Sequence, residues 1–166
     1  MHKRFLNLKA IIFDWGRTLH DPETDRLFDG VPDVVQSLAQ RHAVVIVSLA
    51  TSEPPEQRKR KIRESSIAPF IKTILVSAGD KEDLYEAALA DLKAEPWSVA
   101  IVDDQIKRGV RWGRKHGTLT IWFRNGKFAN DLPLSDNETP DFTVTEFREL
   151  SALFEQKREK GQNRGK

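Results

Sequence analysis

The sequence AIIFDWGRTL, residues 10–19, indicates how the rest of the chain is arranged. An apolar run is followed by a single aspartate, Asp14, and then by a glycine and polar residues that end the run. A short, wholly apolar run is typical of a strand that is buried on both faces of a parallel sheet. Ligands of such sheets bind beyond the carboxyl ends of the strands. We therefore expect Asp14 to face a binding cleft, although an aspartate here can also cap a following helix.

The same kind of apolar run recurs along the chain, and helix-length segments separate the runs. Strands are predicted at residues 8–13, 43–48, 73–76, 99–102, 119–123 and 142–144. Apolar residues at helical spacing predict helices at residues 32–40, 81–93 and 106–116, and a last one from Thr145. Strands that alternate with helices form a parallel sheet with right-handed crossovers. The predicted fold class is therefore α/β, a doubly wound (Rossmann-like) parallel sheet with three α/β/α layers.

The composition limits the classes of protein that the chain can represent. With 166 residues, of which 39% are hydrophobic and 31% charged, the chain suits one compact domain. The absence of cysteine excludes disulfides and thiolate chemistry. No apolar run approaches the roughly 20 residues of a membrane helix, so we expect a soluble, cytoplasmic protein. The net charge of +2 gives little support to a nucleic-acid partner.

Two polar segments are assigned no function. Residues 155–166 are almost wholly polar, and we expect a folded domain over residues 1–154 followed by a frayed tail. The run RKRK at residues 58–61, with Arg63, is a basic cluster in a predicted helix. Because consecutive charges point in all directions around a helix, we interpret the cluster as solvated surface.

Four of the predicted strands are followed by a chemically useful side chain. These are Asp14 after the first strand, Ser48 after the second, Lys81 after the third, and Asp103 and Asp104 after the fourth. Their order, in the local sequences IIFDWGRTL, VVIVS, GDKE and AIVDD, resembles the haloacid dehalogenase-like (HAD) superfamily. The resemblance covers roughly residues 8–123. It implies a HAD-like fold and phosphoryl transfer through an aspartyl intermediate.

The resemblance also implies a role for each residue. Asp14 would be the nucleophile and a ligand of Mg²⁺, with Asp104 and the backbone carbonyl of Gly16 as further ligands. Ser48 would hydrogen-bond a phosphoryl oxygen, and Lys81 would neutralise the remaining negative charge. A metal ion is also expected on physical grounds, because a carboxylate can attack a dianionic phosphate only when a cation offsets the repulsion. Oxygen ligands of this kind are those that Mg²⁺ prefers.

Ordinary structural interpretations of these residues remain open. Ser48 can be a strand-end hydroxyl, and Lys81 can be an exposed residue in the first turn of its helix. The aspartates at positions 103 and 104 can cap a helix N-terminus. We prefer Asp104 to Asp103 as the metal ligand, because the residues that follow match the family pattern from that register.

Four positions depart from the family pattern. Gly16 stands where phosphatases of the family carry the aspartate that protonates the leaving group, a role worth typically about 10²- to 10⁴-fold in rate. Arg17 stands where the family has glycine, Glu82 where it has proline, and Gly109 where it has an acidic residue. His20 is the nearest titratable residue that could replace the missing acid. We expect weakened turnover and weakened metal affinity.

The short interval between Asp14 and the second strand leaves no room for the cap domain that many family members insert. A capless site is open to water, which favours a macromolecular substrate, a lid from a partner, or no catalysis. The predicted function is a Mg²⁺-dependent hydrolase of the phosphatase type, acting on a phosphorylated substrate. The alternatives are a non-catalytic module that senses phosphate or binds protein and, with less support, a nucleic-acid-associated protein.

Overall fold

The computed structural model describes residues 7–162, with side chains described through residue 155. Its strands are β1 (Ala10–Phe13), β2 (His20–Asp21), β3 (Arg26–Leu27), β4 (Ala43–Leu49), β5 (Thr73–Ser77), β6 (Val99–Asp103), β7 (Leu119–Phe123) and β8 (Phe142–Val144). Its α-helices are α1 (Val31–Ala39), α2 (Pro55–Glu64), α3 (Lys81–Leu92), α4 (Arg111–His116) and α5 (Glu149–Gln162).

Six strands form one parallel sheet in the order β5-β4-β1-β6-β7-β8. β1 lies inside the sheet, where Phe13 pairs with Ile46 of β4 on one side and with Val102 of β6 on the other. The chain winds from β1 outward to β5, returns to β6 beside β1, and continues outward to β8. This doubly wound order confirms the predicted fold class.

Alternate residues of each central strand pack on opposite faces of the sheet. Phe13 belongs to a core cluster that includes Val34 of α1 and Leu150 of α5. Ile12 belongs to a second cluster that includes Tyr85 of α3. Because both faces are covered, every position of these strands has to be apolar, which is why the runs are continuous in the sequence. The three-layer arrangement is confirmed.

The predicted strands agree with the observed ones to within two residues, and two of the helices differ from expectation. The segment predicted as one helix at residues 106–116 begins with a π-helical turn, Ile106–Val110, and continues as α4. The helix predicted from Thr145 begins at Glu149, whose Oε1 accepts hydrogen bonds from the backbone N–H groups of Thr145 and Glu146. Glu149 therefore orders the preceding segment as a cap.

The interval between β1 and α1 holds the antiparallel hairpin β2–β3, which the sequence did not predict. Apart from this hairpin, the structure has no inserted domain between β1 and α1, so a cap domain is absent there, as predicted. α5 extends to Gln162, and the division into a domain at 1–154 and a frayed tail at 155–166 stays a prediction. Residues 1–6 and 163–166 lie outside the described part of the chain. Within that part, no helix has the length and apolar character needed to cross a membrane.

Candidate active site

The predicted site residues converge at the carboxyl edge of the sheet. Lys81, the first residue of α3, places its Nζ 2.7 Å from Asp14 Oδ1 and 2.8 Å from Asp103 Oδ2. Carboxylate oxygens of Asp14, Asp103 and Asp104 lie within 4.8 Å of one another. The sheet order explains this convergence, since β1 pairs directly with β6 and the backbone N–H of Asp14 donates to Val102 O at 3.0 Å. The spatial grouping of Asp14, Lys81 and Asp104 matches the prediction.

Thr18 joins the loop after β1 to the end of β6. Its Oγ1 donates to Asp14 Oδ2 at 3.0 Å and accepts from the backbone N–H of Asp104 at 3.1 Å. The side chain is fully buried, so both hydrogen bonds are shielded from water. Thr18 thereby fixes the separation of the two aspartates. Thr18 had no predicted role, and its only signal in the sequence was its place in the first motif.

Asp103 is held entirely by donors of the protein. Its Oδ2 accepts from Lys81, from the Tyr85 hydroxyl at 3.1 Å and from the backbone N–H of Gly109 at 3.1 Å. Its Oδ1 accepts from the backbone N–H of Gln105 at 2.9 Å. Burial alone would raise the pKa of Asp103, but Lys81 and the hydrogen bonds outweigh burial and lower it. Asp103 is therefore an ionised anchor for Lys81.

Asp104 lies in the opposite environment. Both of its carboxylate oxygens are buried, and no described residue donates a hydrogen bond to either. Burial, with repulsion from Asp14 and Asp103, raises the pKa of Asp104 to about 9. Its backbone carbonyl accepts from Trp122 Nε1 at 2.9 Å, which fixes the main chain. A buried carboxylate without donors is costly in a protein unless it ligates a cation.

The carbonyl oxygen of Gly16 is also free. The backbone bridge between Gly16 and His20 is made by neighbouring atoms, Arg17 N–H to His20 O at 2.7 Å and His20 N–H to Trp15 O at 3.0 Å. Among the described residues, no donor contacts the Gly16 carbonyl. Carboxylates are hard oxygen donors, and the unpartnered oxygens of Asp104 beside Asp14 suit Mg²⁺.

Lys81 and Asp14 influence each other's protonation. Burial lowers the pKa of Lys81, but the charges of Asp103 and Asp14 raise it well above its ordinary value, so Lys81 stays cationic. Burial raises the pKa of Asp14, Lys81 opposes that shift, and Asp103 adds to it, leaving the pKa raised. A further cation beside Asp14 would favour its ionised form.

Ser48 is buried in β4, next to β1, and its partner comes from the basic cluster. Arg58 of α2 donates from Nη1 to Ser48 Oγ at 2.9 Å and from Nε to Glu53 Oε1 at 2.5 Å. The Arg58 side chain is only 12% exposed, so interpreting it as solvated surface was wrong. Arg60 and Arg63 on the same helix are exposed, as expected. Because the four charges follow one another, their pattern did not distinguish the residue that turns inward.

Gly16 and Gly109, two of the positions that depart from the family pattern, differ in how much space surrounds them. Apart from the two adjacent residues, the nearest atom to a Cβ added at Gly16 would be Arg58 Nη1 at 3.7 Å, an ordinary van der Waals contact. A Cβ added at Gly109 would lie 2.5 Å from Asp103 Oδ2 and 2.8 Å from the Tyr85 hydroxyl. The acidic residue of the family pattern is therefore sterically excluded at position 109.

The other polar residues near the first motif contact each other. Arg17 has φ +65° and its Nη1 lies 3.9 Å from Glu23 Oε1, a weak outward contact. His20 stacks on Trp15 with ring centroids 5.2 Å apart, and its Nε2 lies 3.0 Å from Asp25 Oδ1.

Two cavities border this edge of the sheet. One of about 370 Å³ lies beside Gly16 and Arg58, and its walls include Trp15, His20, Gln57 and Lys61. The other, of about 450 Å³, lies beside Lys81 and is bordered by Lys107 and Arg108. Both are large enough for a small phosphorylated molecule.

The fold and the site together define a class: a doubly wound α/β protein with an aspartate-centred, cation-suited site where the winding of the sheet reverses. A family described as HAD-hydrolase-like matches residues 78–150. Glyceraldehyde 3-phosphate phosphatases from Methanopyrus kandleri and Pyrococcus furiosus are each 25% identical, over 72% of this chain and 54% and 50% of their own length. The chain thus spans about half the length of the curated relatives it matches.

Solved structures show the same fold. The magnesium-bound structure of YfnB from Bacillus subtilis, described as a HAD-hydrolase, superposes with a TM-score of 0.74 at 14% identity, over 89% of this chain and 99% of that one. The family match over residues 78–150 and the two curated relatives support membership of the haloacid dehalogenase-like superfamily. Its relatives by sequence are phosphatases.

Proposed function

We propose that the chain is a Mg²⁺-dependent phosphohydrolase in which Asp14 becomes phosphorylated. The observation that carries this proposal is the pairing of Asp14 with Asp104, a buried carboxyl whose oxygens have no donor among the described residues. Asp14, Asp104 and the Gly16 carbonyl would hold the ion. When bound, Mg²⁺ would offset the negative charge of the phosphoryl oxygens and so permit attack by a carboxylate.

The remaining residues orient the phosphoryl group and the nucleophile. Lys81, held cationic by Asp14 and Asp103, would bind a phosphoryl oxygen as a fixed positive charge. Ser48 would donate its hydroxyl proton to another oxygen, because Arg58 already donates to Ser48 Oγ and leaves that proton available. Thr18 holds the Asp14 carboxylate so that one oxygen can face the phosphorus. The attack forms an aspartyl phosphate, which water then hydrolyses.

A small phosphorylated molecule is the substrate class that we favour. The curated relatives are phosphatases of glyceraldehyde 3-phosphate, a small phosphate ester. Cavities of about 370 and 450 Å³ beside the site match molecules of that size. The macromolecular substrate considered from the missing cap has no comparable support.

The non-catalytic alternative loses one of its two arguments. Gly109 was one sign of a degenerate site, and it is required by the packing of Asp103 and Tyr85. Only Gly16 remains in favour of lost activity. The nucleic-acid alternative is also weakened, since Arg58 turns inward and Lys61 pairs with Glu53 at 3.0 Å.

The test is a phosphatase screen over small phosphate esters, with and without Mg²⁺, on the native chain, Asp14→Asn and Gly16→Asp. We expect slow, Mg²⁺-dependent phosphate release that Asp14→Asn abolishes. A Cβ at position 16 keeps an ordinary contact distance from Arg58, and Gly16→Asp should raise turnover of alkyl phosphates by about 10-fold or more, because it supplies a proton donor. Activity that survives in Asp14→Asn, or that needs no metal, would contradict the proposal.

A further inference from the structure

The guanidinium of Arg58 lies next to position 16. Its Nη1 is the nearest atom to a Cβ built on Gly16, at 3.7 Å, and it also contacts Ser48 Oγ. Glu53 holds the other side of the guanidinium through Nε. Arg58 therefore places a nearly buried positive charge beside the predicted phosphoryl site.

Arg58 retains unused donors. Its hydrogen bonds come from Nε and Nη1, and within residues 7–155 the two N–H groups on Nη2 donate to no acceptor. The residue lines the cavity of about 370 Å³ that also borders Gly16. The free donors on Nη2 suit an anion in this cavity, which would accept a charge-assisted hydrogen bond from the guanidinium.

Glu53, a carboxyl group that lines this cavity, is a poor proton donor. Burial raises the pKa of Glu53, but hydrogen bonds and charges from Arg58 and Lys61 outweigh burial and lower it, so Glu53 stays ionised. Asp25 is engaged with His20 Nε2. In this cavity a leaving group would therefore meet the positive charge of Arg58, and Glu53 would not supply it with a proton.

We infer that the substrate is a phosphoric anhydride, such as an acyl phosphate, whose leaving group departs as an anion bound by Arg58. This inference rests on the proposed function and narrows its substrate class. An alkoxide leaving group is strongly basic and needs a proton, whereas a carboxylate leaving group does not. Arg58 is then a catalytic residue that stabilises the charge developing on the bridging oxygen.

The reaction balances without a proton donor at position 16. Asp14 attacks the phosphorus, the bond between phosphorus and the bridging oxygen breaks, and the departing carboxylate keeps the electron pair. Water then attacks the phosphorus of the aspartyl phosphate, and the bond to Asp14 breaks. Asp14 regains its carboxylate, and both protons of the water remain on the released dihydrogen phosphate.

A matched pair of substrates tests the inference. Acetyl phosphate and ethyl phosphate have similar size and differ in whether acetate or ethoxide leaves. With Mg²⁺ present, kcat/KM for each is divided by the uncatalysed rate constant, and the two quotients are compared. We expect the native chain to favour acetyl phosphate, and Gly16→Asp to reduce that preference by about 10-fold or more, because it assists only the ethoxide.

Substitution of Arg58 is the second arm. Arg58→Gln should lower kcat for acetyl phosphate by about 10²-fold, as loss of one transition-state donor does elsewhere. Arg58→Lys should recover part of the loss, since it restores the charge without the planar fork. Arg60→Gln, on the exposed side of the same helix, is the matched control, and circular dichroism checks that each variant is folded.

The outcomes separate this inference from the proposed function. Equal quotients for the two substrates in the native chain, or an equal effect of Arg58→Gln and Arg60→Gln, would overturn the inference while Asp14-dependent hydrolysis stands. If the native chain turns over neither substrate and Asp14 is never phosphorylated, the proposed function itself fails.

Discussion

Asp104 is a buried residue whose carboxyl oxygens receive no hydrogen bond from the described part of the protein. Its neighbour Asp103 accepts four hydrogen bonds, yet both oxygens of Asp104 are buried without a donor among the described residues. The two aspartates are adjacent in sequence and were equally plausible ligands by type. Register with the family motif favoured Asp104, and the contrast in hydrogen bonding now supports that choice on physical grounds.

Asp104→Asn should stabilise the metal-free protein at pH 8 by about 1–3 kcal/mol, because Asp104 must take up a proton on folding whereas an amide is neutral in both states and can donate to the neighbouring carboxylates. The folded pKa of about 9 lies above the ordinary value of 3.8, so between these values the folded state holds a proton that the unfolded chain releases. Stability of the native, metal-free chain should therefore fall as pH rises from about 4 to 9. Urea unfolding in EDTA at several pH values measures this slope.

The matched control is Asp83→Asn, a substitution at an exposed aspartate of α3. Asp104→Asn should flatten the decline with pH, and Asp83→Asn should leave it unchanged. Part of the decline in stability with pH should remain in Asp104→Asn, because the pKa of Asp14 is also raised, chiefly by burial. An identical slope in Asp104→Asn and in the native chain would show that Asp104 is not a buried, strained carboxyl.

Arg17 occupies a left-handed backbone conformation, with φ +65°. A side chain there costs roughly 1–2 kcal/mol in sterics, which glycine avoids at some cost in unfolded-state entropy. Arg17→Gly should therefore raise the free energy of unfolding by about 1 kcal/mol. Arg17→Ala, which keeps Cβ and loses only the 3.9 Å contact with Glu23, should give no such gain. Equal stability of the two variants in urea unfolding would rule out strain at this position.

At the scale of elements, strands were easier to predict than the segments between them. The central strands are buried on both faces, so their continuous apolar runs stand out in the sequence. The hairpin β2–β3 has strands of two residues each, composed of His20–Asp21 and Arg26–Leu27. Such short, mostly polar strands have no apolar periodicity, and they are fixed instead by the backbone contacts of the loop with Trp15 and Leu19.

The π-helical turn Ile106–Val110 shows a second limit of the sequence. Its Gly109 looked like a lost acidic residue, but the turn packs against Asp103 and Tyr85 so closely that only glycine fits. This requirement comes from the positions of two side chains, Asp103 at the end of β6 and Tyr85 on α3, and not from the residue types around Gly109. Local pattern alone therefore could not reveal it.

Gly109→Ala should destabilise the protein by about 2–3 kcal/mol, since the new methyl group would overlap Asp103 and the Tyr85 hydroxyl. It should also weaken phosphate binding by shifting the anchor of Lys81. Gly79→Ala is the control, because its Cβ would meet nothing nearer than Ser77 Oγ at 3.4 Å. Chemical unfolding of both variants gives the comparison. A Gly109→Ala protein as stable as Gly79→Ala would mean that the turn relaxes freely.

At the scale of the whole molecule, the site is a consequence of strand order. The sheet places β4, β1 and β6 side by side, so residues far apart in the chain end at one edge. The alternation of strands and helices predicted a doubly wound sheet, and the family resemblance predicted which strand ends carry the site. Neither predicted the inward Arg58, because its orientation depends on how α2 packs beside Ser48 and Glu53.

The claim that most of this account depends on is that Asp14 accepts a phosphoryl group with the help of Mg²⁺. Beryllofluoride mimics such a group on an aspartate, and fluorine NMR detects its bound form directly. The account predicts a protein-bound fluorine signal for the native chain that requires Mg²⁺ and is lost in Asp14→Asn and Asp104→Asn. The absence of a bound signal in the native chain, or its persistence in Asp14→Asn, would contradict the account.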